Sequence, residues 1–222
     1  TFDNLLIERD GAVAIVTLNR PKVLNALNAQ TLSELAGAIR SFKNEDAVRA
    51  IEFARRFKLE VSVRSGGHSH LAWGSSNGLV IDLSLLKRIT VDPDRRIVRA
   101  QAGVTSGEVA RAAGKKGLVP VLGQCPGVGA TGVTLGGGLV WLSGLFGACC
   151  DNLHAVRLVG ADTRTLDVNA ENDSDLFWGM CGAGANFGVT TSFVARLHAL
   201  GQVLSGDIHF AARDARAVVR GV

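Results

Sequence analysis

The sequence has no tyrosine, and aromatic residues make up only 5% of its 222 residues. Basic residues are spread along the chain, in pairs such as Arg55-Arg56 and Lys115-Lys116, without aromatic side chains between them. Nucleic-acid-binding proteins combine a dense basic surface with such aromatics, so we expect no nucleic-acid partner. The net charge of +4 instead suits a small anionic cofactor or substrate.

Long apolar runs are also missing, and no charged start followed by an apolar core marks a secretion signal. We therefore expect a cytoplasmic protein with no membrane partner. The four cysteines, Cys125, Cys149, Cys150 and Cys181, are expected as free thiols. A C-x-x-C pair is absent, and a group of Cys149, Cys150 and His154 lacks a fourth ligand, so no metal site is predicted.

What the chain does have is apolar material and glycine. Hydrophobic residues make up 47%, enough for a packed core in one domain or two small ones. Most of the 27 glycines lie between residues 65 and 188. This distribution separates a glycine-poor N-terminal piece from a glycine-rich remainder.

The N-terminal piece predicts a hairpin and two helices. Residues 5–9 and 12–18 are strand-like and flank Asp10-Gly11. Apolar residues recur at helical spacing over 29–42 and again over 45–58, the second with Asn44 as N-cap.

The remainder mixes short strands and short helices. Leu59, Val61 and Val63 predict an alternating strand that runs into a glycine loop, and residues 106–117 predict a helix. Further on, a hairpin around Asp162, a short helix and a long strand are expected. Because regular β-helix-β alternation is missing, the pattern predicts an α+β fold.

The stretch "RSGGHSH" at 64–70 follows the predicted strand directly. Two glycines let backbone amides approach an anion closely, and Ser65 and Ser69 add hydroxyl donors. His68 lies in the middle, where its side chain would face the bound group. A pyrophosphate-binding loop and a plain tight turn with an exposed histidine both fit these residues.

The stretch "GQCPGVGATG" at 123–132 contains G-x-G-x-x-G at Gly127, Gly129 and Gly132. A dinucleotide turn should follow a buried strand and open a helix. Here Cys125 and Pro126 come before it, and the following glycine run is a poor helix start. A glycine-rich loop lying along a ligand is the preferred interpretation, and a doubly wound fold is the alternative.

Five motifs in order resemble the FAD-linked oxidases with a PCMH-type FAD-binding domain, in particular the berberine-bridge-enzyme-like oxidases. The motifs extend from about residue 44 to residue 200. They are "EVSVRSGGHSH", "GLVIDLSLLKRITVDPDRRIVRAQAGV", "GQCPGVGATGVTLGGGLVWLSGLFGACCDNL", "DLFWGMCGAGANFGVTTSF" and "RLHAL".

This resemblance implies FAD as cofactor. It implies a covalent bond from His68 to the flavin 8α-methyl carbon and, in some members, a second from Cys125 to flavin C6. A small buried thiol is the alternative role for Cys125. The implied cofactor-binding residues are Arg64, Ser65, Gly66, Gly67, His68, Ser69, Cys125, Pro126, Val128, Gly129, Gly132, Gly136, Gly137, Asn186, Gly188 and Val189.

The implied chemistry is hydride transfer from a substrate C–H, of an alcohol- or sugar-like small molecule, to flavin N5, with reoxidation by O₂. The family's catalytic base is often a tyrosine from a later substrate domain, and this chain has none. His70, Asp151 and His154 are candidate bases by residue type only, so no catalytic residue is assigned.

Residues 2–50 resemble a different family, the enoyl-CoA hydratases/isomerases (crotonases), through the hairpin, Asn19-Arg20-Pro21, Asn25-Ala26-Leu27 and the helix. Their later oxyanion-hole segments and catalytic glutamates have no counterpart, so no hydratase chemistry is expected. The predicted organisation is therefore a crotonase-like fragment (1–43), a PCMH-type FAD-binding domain (44–200) and a tail or truncated substrate domain (201–222). The alternatives are a non-catalytic flavin-binding remnant of a gene fusion, an enoyl-CoA binder and a misassembled product without a stable fold.

Overall fold

The computed structural model describes residues 3, 5–10, 13–18, 30, 46–204 and 206–221. The strands are β1 (Leu5–Asp10), β2 (Val13–Leu18), β3 (Val61–Arg64), β4 (Leu79–Asp82), β5 (Ile89–Asp92), β6 (Ile97–Gln101), β7 (Leu118–Pro120), β8 (Leu153–Val159), β9 (Thr165–Asn169) and β10 (Val189–Ala199). The α-helices are α1 (Asp46–Phe57), α2 (Ser106–Gly114), α3 (Ala130–Leu135), α4 (Ser143–Phe146), α5 (Ser174–Ala183) and α6 (Ala215–Arg220). Short 3-10 helices lie at Cys150–Asn152, Gly184–Asn186 and Ala212–Asp214.

The strands form three sheets. The largest has the order β5-β6-β10-β8-β9, with β7 also paired to β10, and all of its pairs are antiparallel. Strands β3 and β4 form a parallel pair, and β1 and β2 form an antiparallel hairpin. This mixture of helices and mainly antiparallel strands confirms the α+β prediction and differs from a doubly wound sheet.

The helices and strands predicted from the sequence largely match those of the structure. The hairpin around Asp10-Gly11, the helix over 45–58, the hairpin around Asp162 and the long final strand are confirmed. The helix expected over 29–42 and its neighbour Asn44 lie outside the described residues, apart from Gln30.

The main core lies between the large sheet and helices α2 and α5. Val98, Val156 and Phe193 from the sheet pack with Val109 of α2 and Met180 of α5, and all are at most 2% exposed. Strand alternation places the neighbouring polar residues of β6, β8 and β10 on the other face of the sheet. The core therefore covers one face, and among the described residues the other face carries polar side chains.

A second, smaller cluster joins helix α1 to the ends of the sheets. Ala47 and Ile51 of α1 pack with Ile81 of β4, Ala102 after β6 and Val189 of β10. This cluster holds the end of the parallel pair β3-β4 against the end of β6, and so sets where the loop after β3 lies.

The alternation predicted for residues 59–63 was wrong. Leu59 and Val61 are more than a third exposed, whereas Ser62 is buried. Strand β3 is short and pairs only with β4. The burial of its residues is therefore decided by the elements that pack against each face, and not by the apolar pattern of the strand.

Two absences hold for the part of the chain that the structure describes. No helix there has the length and hydrophobicity needed to span a membrane. No group of three or more His, Cys, Asp or Glu side chains in those residues is arranged to hold a metal ion.

Candidate functional site

The loop after β3, residues 64–70, is called the histidine loop below. Its backbone amides from Gly66 to His70 donate to no acceptor among the described residues. A run of unpaired N–H groups is a binding site for an anion, since each group otherwise depends on water. The loop therefore has the donors that a pyrophosphate requires.

Backbone geometry and charge support the same role. Gly67 has φ +68, the left-handed region that glycine adopts without strain. A Cβ placed there would lie 3.0 Å from Nε of Arg64, so this guanidinium runs along the loop. A cation beside open amides strengthens anion binding.

The second glycine segment, residues 123–129, is called the cysteine loop. The N–H of Ser106 donates to the Val128 carbonyl at 2.8 Å, and the N–H of Gly107 donates to the Pro126 carbonyl at 3.0 Å. The first N–H groups of a helix have no partner within that helix. The cysteine loop thus supplies acceptors for the first N–H groups of α2, and these hydrogen bonds fix the loop in place.

The two loops touch backbone to backbone. A Cβ on Gly66 would lie 2.3 Å from the Gly129 nitrogen, and one on Gly129 would lie 2.5 Å from the Gly66 nitrogen. A Cβ on Gly127 would lie 3.5 Å from Nε2 of His68. His68 Nε2 therefore lies near the turn that follows Cys125.

One carbonyl anchors the histidine loop and helix α3, which follows the cysteine loop. Ser65 Oγ donates to the Ala102 carbonyl at 2.6 Å, and Thr131 Oγ1 donates to the same oxygen at 3.0 Å. Ala102 lies in the small core cluster, just after β6. The sequence gives no sign of this shared acceptor, because three distant segments supply its parts.

Cys125 and His68 are both exposed on this surface. The alternative of Cys125 as a small buried thiol is therefore wrong. Cys149 is the buried one, at 1% exposure, and burial together with the neighbouring Cys150 raises its pKa to about 11. All four cysteines are free thiols.

Helix α3 starts directly after Gly129, although the following glycines predicted a poor helix start. It is six residues long, contains Gly132 and ends at Gly136. Gly137 then turns with φ +98, and its carbonyl accepts from the Cys150 N–H at 3.0 Å. The strand before the loop is antiparallel β7, so a dinucleotide-type turn is not formed.

The last predicted segment, residues 186–189, packs near α3. A Cβ on Gly184 would lie 2.8 Å from Cβ of Leu135, which places the 3-10 helix containing Asn186 against α3. Gly188 has φ +149 and lies against the Val159 carbonyl, while the Val189 side chain is buried in the small core cluster. The predicted segments thus form a continuous chain of contacts.

The three candidate bases differ in position. Asp151 Oδ2 accepts from the Ala148 N–H at 2.8 Å and holds its own turn. His154 lies at the other end of the sheet from Ala102, and its pKa is lowered by burial and by Arg196 and Arg95. His70 is exposed on the histidine loop. Only His70 shares a loop with the predicted site.

A side-chain network that the sequence did not predict holds residues 146–152. Asn152, 3% exposed, donates through Nδ2 to the carbonyls of Phe146 and Ala148, at 2.9 and 2.8 Å. Its Oδ1 is therefore the acceptor for His198 Nε2–H at 2.7 Å, and the His198 ring stacks on Phe146 at 3.9 Å. Burial and then Arg196 and Arg96 lower the pKa of His198.

Comparison with known families identifies the domain. The profile of the FAD binding domain family matches residues 36–169, which is more than half of the chain. The chain belongs to this family. A second profile, that of enoyl-CoA hydratase/isomerase, matches residues 8–54, so the two matches overlap over 36–54.

Similar proteins are named as FAD-linked oxidoreductases and oxidases. An FAD-linked oxidoreductase of Aspergillus terreus is 39% identical over 160 residues, 72% of this chain and 32% of that protein. The structure of 6-hydroxy-D-nicotine oxidase from Arthrobacter nicotinovorans matches with a TM-score of 0.69 at 35% identity, covering 70% of this chain and 34% of that one.

Two more solved structures share the fold. Xylooligosaccharide oxidase from Myceliophthora thermophila matches with a TM-score of 0.66 at 31% identity, over 68% of this chain and 33% of that one. A berberine-bridge-enzyme-like protein from Arabidopsis thaliana matches with a TM-score of 0.67 at 33% identity, over 72% of this chain and 34% of that one. The chain spans about a third of the length of the proteins that it matches.

The residues present fit FAD. The cofactor brings a pyrophosphate, and the histidine loop offers consecutive unpaired amides beside Arg64. Gly132 and Gly137 face open space, since a Cβ on either would meet nothing within 4 Å among the described residues. An extended ligand can therefore lie against the backbone from the histidine loop past α3.

Proposed function

We propose that this chain is the FAD-binding part of an oxidase. In this proposal the histidine loop holds the pyrophosphate, and the cysteine loop and the segment 132–137 lie along the rest of the cofactor. The observation that carries it is the backbone contact between Gly66 and Gly129, which joins the unpaired amides to the turn after Cys125.

His68 and Cys125 are proposed as covalent attachment points. Both side chains are exposed, and His68 Nε2 lies 3.5 Å from where a Cβ on Gly127, two residues beyond Cys125, would be. Attachment at two points would hold the flavin ring at this edge of the two loops and prevent its loss.

When bound, FAD supplies a flavin N5 that accepts hydride from a substrate C–H and passes the electrons to O₂. The chain's own residues position the cofactor, and Arg64 stabilises its negative charge. The proposed substrate is an alcohol- or sugar-like small molecule, in line with the xylooligosaccharide oxidase among the similar structures.

A mixing experiment without oxygen tests this activity. The purified, FAD-containing chain is mixed with a panel of sugars and secondary alcohols, and the visible flavin absorption is followed. Bleaching by a substrate, with recovery on admission of air and release of hydrogen peroxide, is the expected result. Bound FAD that no compound on the panel reduces would contradict the proposed activity.

That contrary outcome would favour a second function, a flavin-binding protein without catalysis. The observation behind it is that Asp151 is held in its own turn and His154 lies far from the loops. Enoyl-CoA binding has less support, because the hydratase/isomerase match ends at residue 54. Calorimetry with a short enoyl-CoA would give no heat of binding.

A further inference from the structure

A groove of about 750 Å³ lies between helix α1 and the polar face of the large sheet. Val98 and Ala100 of β6 point into the core, so Arg99 and Gln101 point to this opposite face. No residue of the histidine loop or the cysteine loop lines the groove. It is therefore separate from the proposed FAD site.

Four arginines from four different segments line the groove. They are Arg49 of α1, Arg88 before β5, Arg99 of β6 and Arg157 of β8, and Glu52 is the one carboxylate among the described lining residues. Arginines are spread evenly through the sequence, so it is the sheet register and the packing of α1 that gather them. A cavity lined by several guanidinium groups attracts anions.

Two of these cations have no counter-charge among the residues that the structure describes. Arg157 is paired through Nε and Nη2 to both carboxylate oxygens of Asp167, each at 2.7 Å. The guanidinium groups of Arg88 and Arg99 donate to nothing in the described ranges. Guanidinium groups form strong two-point contacts with phosphate and carboxylate, so these two are available for a ligand.

The neutral side chains in the groove also present donors. The Arg88 backbone N–H donates to Gln101 Oε1 at 2.9 Å, and the Gln101 amide nitrogen is left as a donor without a partner among the described residues. Gln101, Ser192 and Arg157 are direct partners across β6, β10 and β8. The row therefore combines an amide, a hydroxyl and a guanidinium on one face.

The spacing of the charges fits a ligand with more than one acidic group. Arg99 and Arg157 lie on strands separated by β10, which puts their backbones about 10 Å apart. Arginine side chains are long, so on backbones this far apart they can contact two acidic groups of one ligand. The volume falls within the range typical of small-molecule sites.

We propose that this groove binds a small organic anion with two or more phosphate or carboxylate groups. Arg88 and Arg99 contact one acidic group, and the free edge of Arg157 with Gln101 and Ser192 contacts another. The proposal stands independently of FAD binding.

Calorimetry on the purified full chain tests it, with tripolyphosphate and citrate as probes at constant ionic strength. Saturable binding of at least one probe is expected. Arg99→Gln and Arg88→Gln should each weaken it about tenfold or more. Arg111→Gln, an exposed arginine on α2 across the sheet, serves as the matched control and should bind like the parent.

Preference for one probe would identify the phosphate or carboxylate class of the ligand and support the proposal. Absence of saturable heat with both probes would overturn it, as would equal weakening by Arg111→Gln and Arg99→Gln. Probe binding to flavin-free protein but not to the FAD-containing chain would place the anion on the histidine loop and also overturn it. Thermal melts of both groove variants check that they fold, and the two substitutions provide independent tests.

Discussion

The histidine loop and the cysteine loop are both rich in glycine, yet the structure uses them differently. The cysteine loop has its carbonyls bonded to the first amides of α2, and Val128 N–H donates to the Cys125 carbonyl at 3.1 Å. The histidine loop keeps the amides of Gly66 to His70 without partners in the described part of the chain. One loop is fixed scaffold, and the other offers donors to a ligand.

The contact between them explains why glycine is needed in each. Neither Gly66 nor Gly129 has a positive φ, so conformational freedom is not the reason. The backbones approach so closely that a side chain on either would clash. At Gly66 and Gly129 glycine is needed because the backbones approach closely, whereas at Gly67 it is needed because φ is positive.

The largest expected effect comes from Gly66→Ala. The new Cβ would lie 2.3 Å from the Gly129 nitrogen, so the loops must separate. We expect a loss of about 1–3 kcal/mol in the free energy of unfolding and FAD affinity reduced about tenfold or more. Thermal melts and FAD titration measure both.

Gly114→Ala is the matched control for that variant, because a Cβ at Gly114 meets nothing within 4 Å among the described residues. Its stability should be unchanged or slightly higher, since alanine favours the helix. Equal FAD affinity in Gly66→Ala and the parent chain would show that the loop contact is not needed for binding.

Thiol alkylation compares the exposed loop with the core. Cys125 is exposed, whereas Cys149 is buried with a pKa of about 11. At pH 8 only about one Cys149 thiol in a thousand is ionised, so iodoacetamide should modify Cys125 at least about a hundredfold faster. Peptide mass spectrometry of flavin-free protein measures the ratio, and comparable rates would contradict the burial pattern.

Ser65→Ala should have a moderate effect. It removes the 2.6 Å hydrogen bond to the Ala102 carbonyl, worth about 1 kcal/mol, or about fivefold in FAD affinity. Thr131→Val removes the other donor to that oxygen. Because the two donors share one acceptor, their effects on stability should not add in a double-mutant cycle. Strict additivity would argue against a shared anchor.

The smallest effect is expected at the start of α2. Glu108 accepts from Thr105 N–H at 2.7 Å and from Lys87 Nζ at 2.8 Å. Desolvation opposes the shift, but these hydrogen bonds lower the pKa of Glu108 overall. A lowered folded pKa stabilises the fold above the unfolded value of about 4 and loses that contribution as pH falls through the folded value.

Glu108→Gln should therefore cost about 0.5–1 kcal/mol at pH 7, and the difference from the parent should shrink in acid. Glu60→Gln is the control, because its exposed side chain makes no hydrogen bond to the described residues. Urea unfolding at neutral and acid pH measures the difference in unfolding free energy between each variant and the parent. A cost independent of pH would contradict the ionised capping contact.

Local patterns predicted much of the fold. The hairpins around Asp10 and Asp162, helix α1 and strand β10 follow from periodicity and turn residues within short windows. The order of the glycine motifs indicated FAD, and the family match to residues 36–169 agrees. Each of these features depends on residues that lie close together in the sequence.

Features that depend on distant partners could not be predicted. The Ala102 carbonyl joins residues 65 and 131, and the groove gathers arginines from residues 49 to 157. The burial of Ser62 likewise depends on which elements pack against the β3-β4 pair. Sheet register and loop packing determine all three features, and a pattern of neighbouring residues in the sequence reveals neither.

Acid precipitation of the purified chain tests the central claim most directly. We expect yellow flavin to stay in the protein pellet, His68→Ala and Cys125→Ala each to weaken the attachment, and the double variant to release all flavin to the supernatant. Flavin of the parent chain found wholly in the supernatant, or a double variant that keeps its colour in the pellet, would contradict attachment through His68 and Cys125.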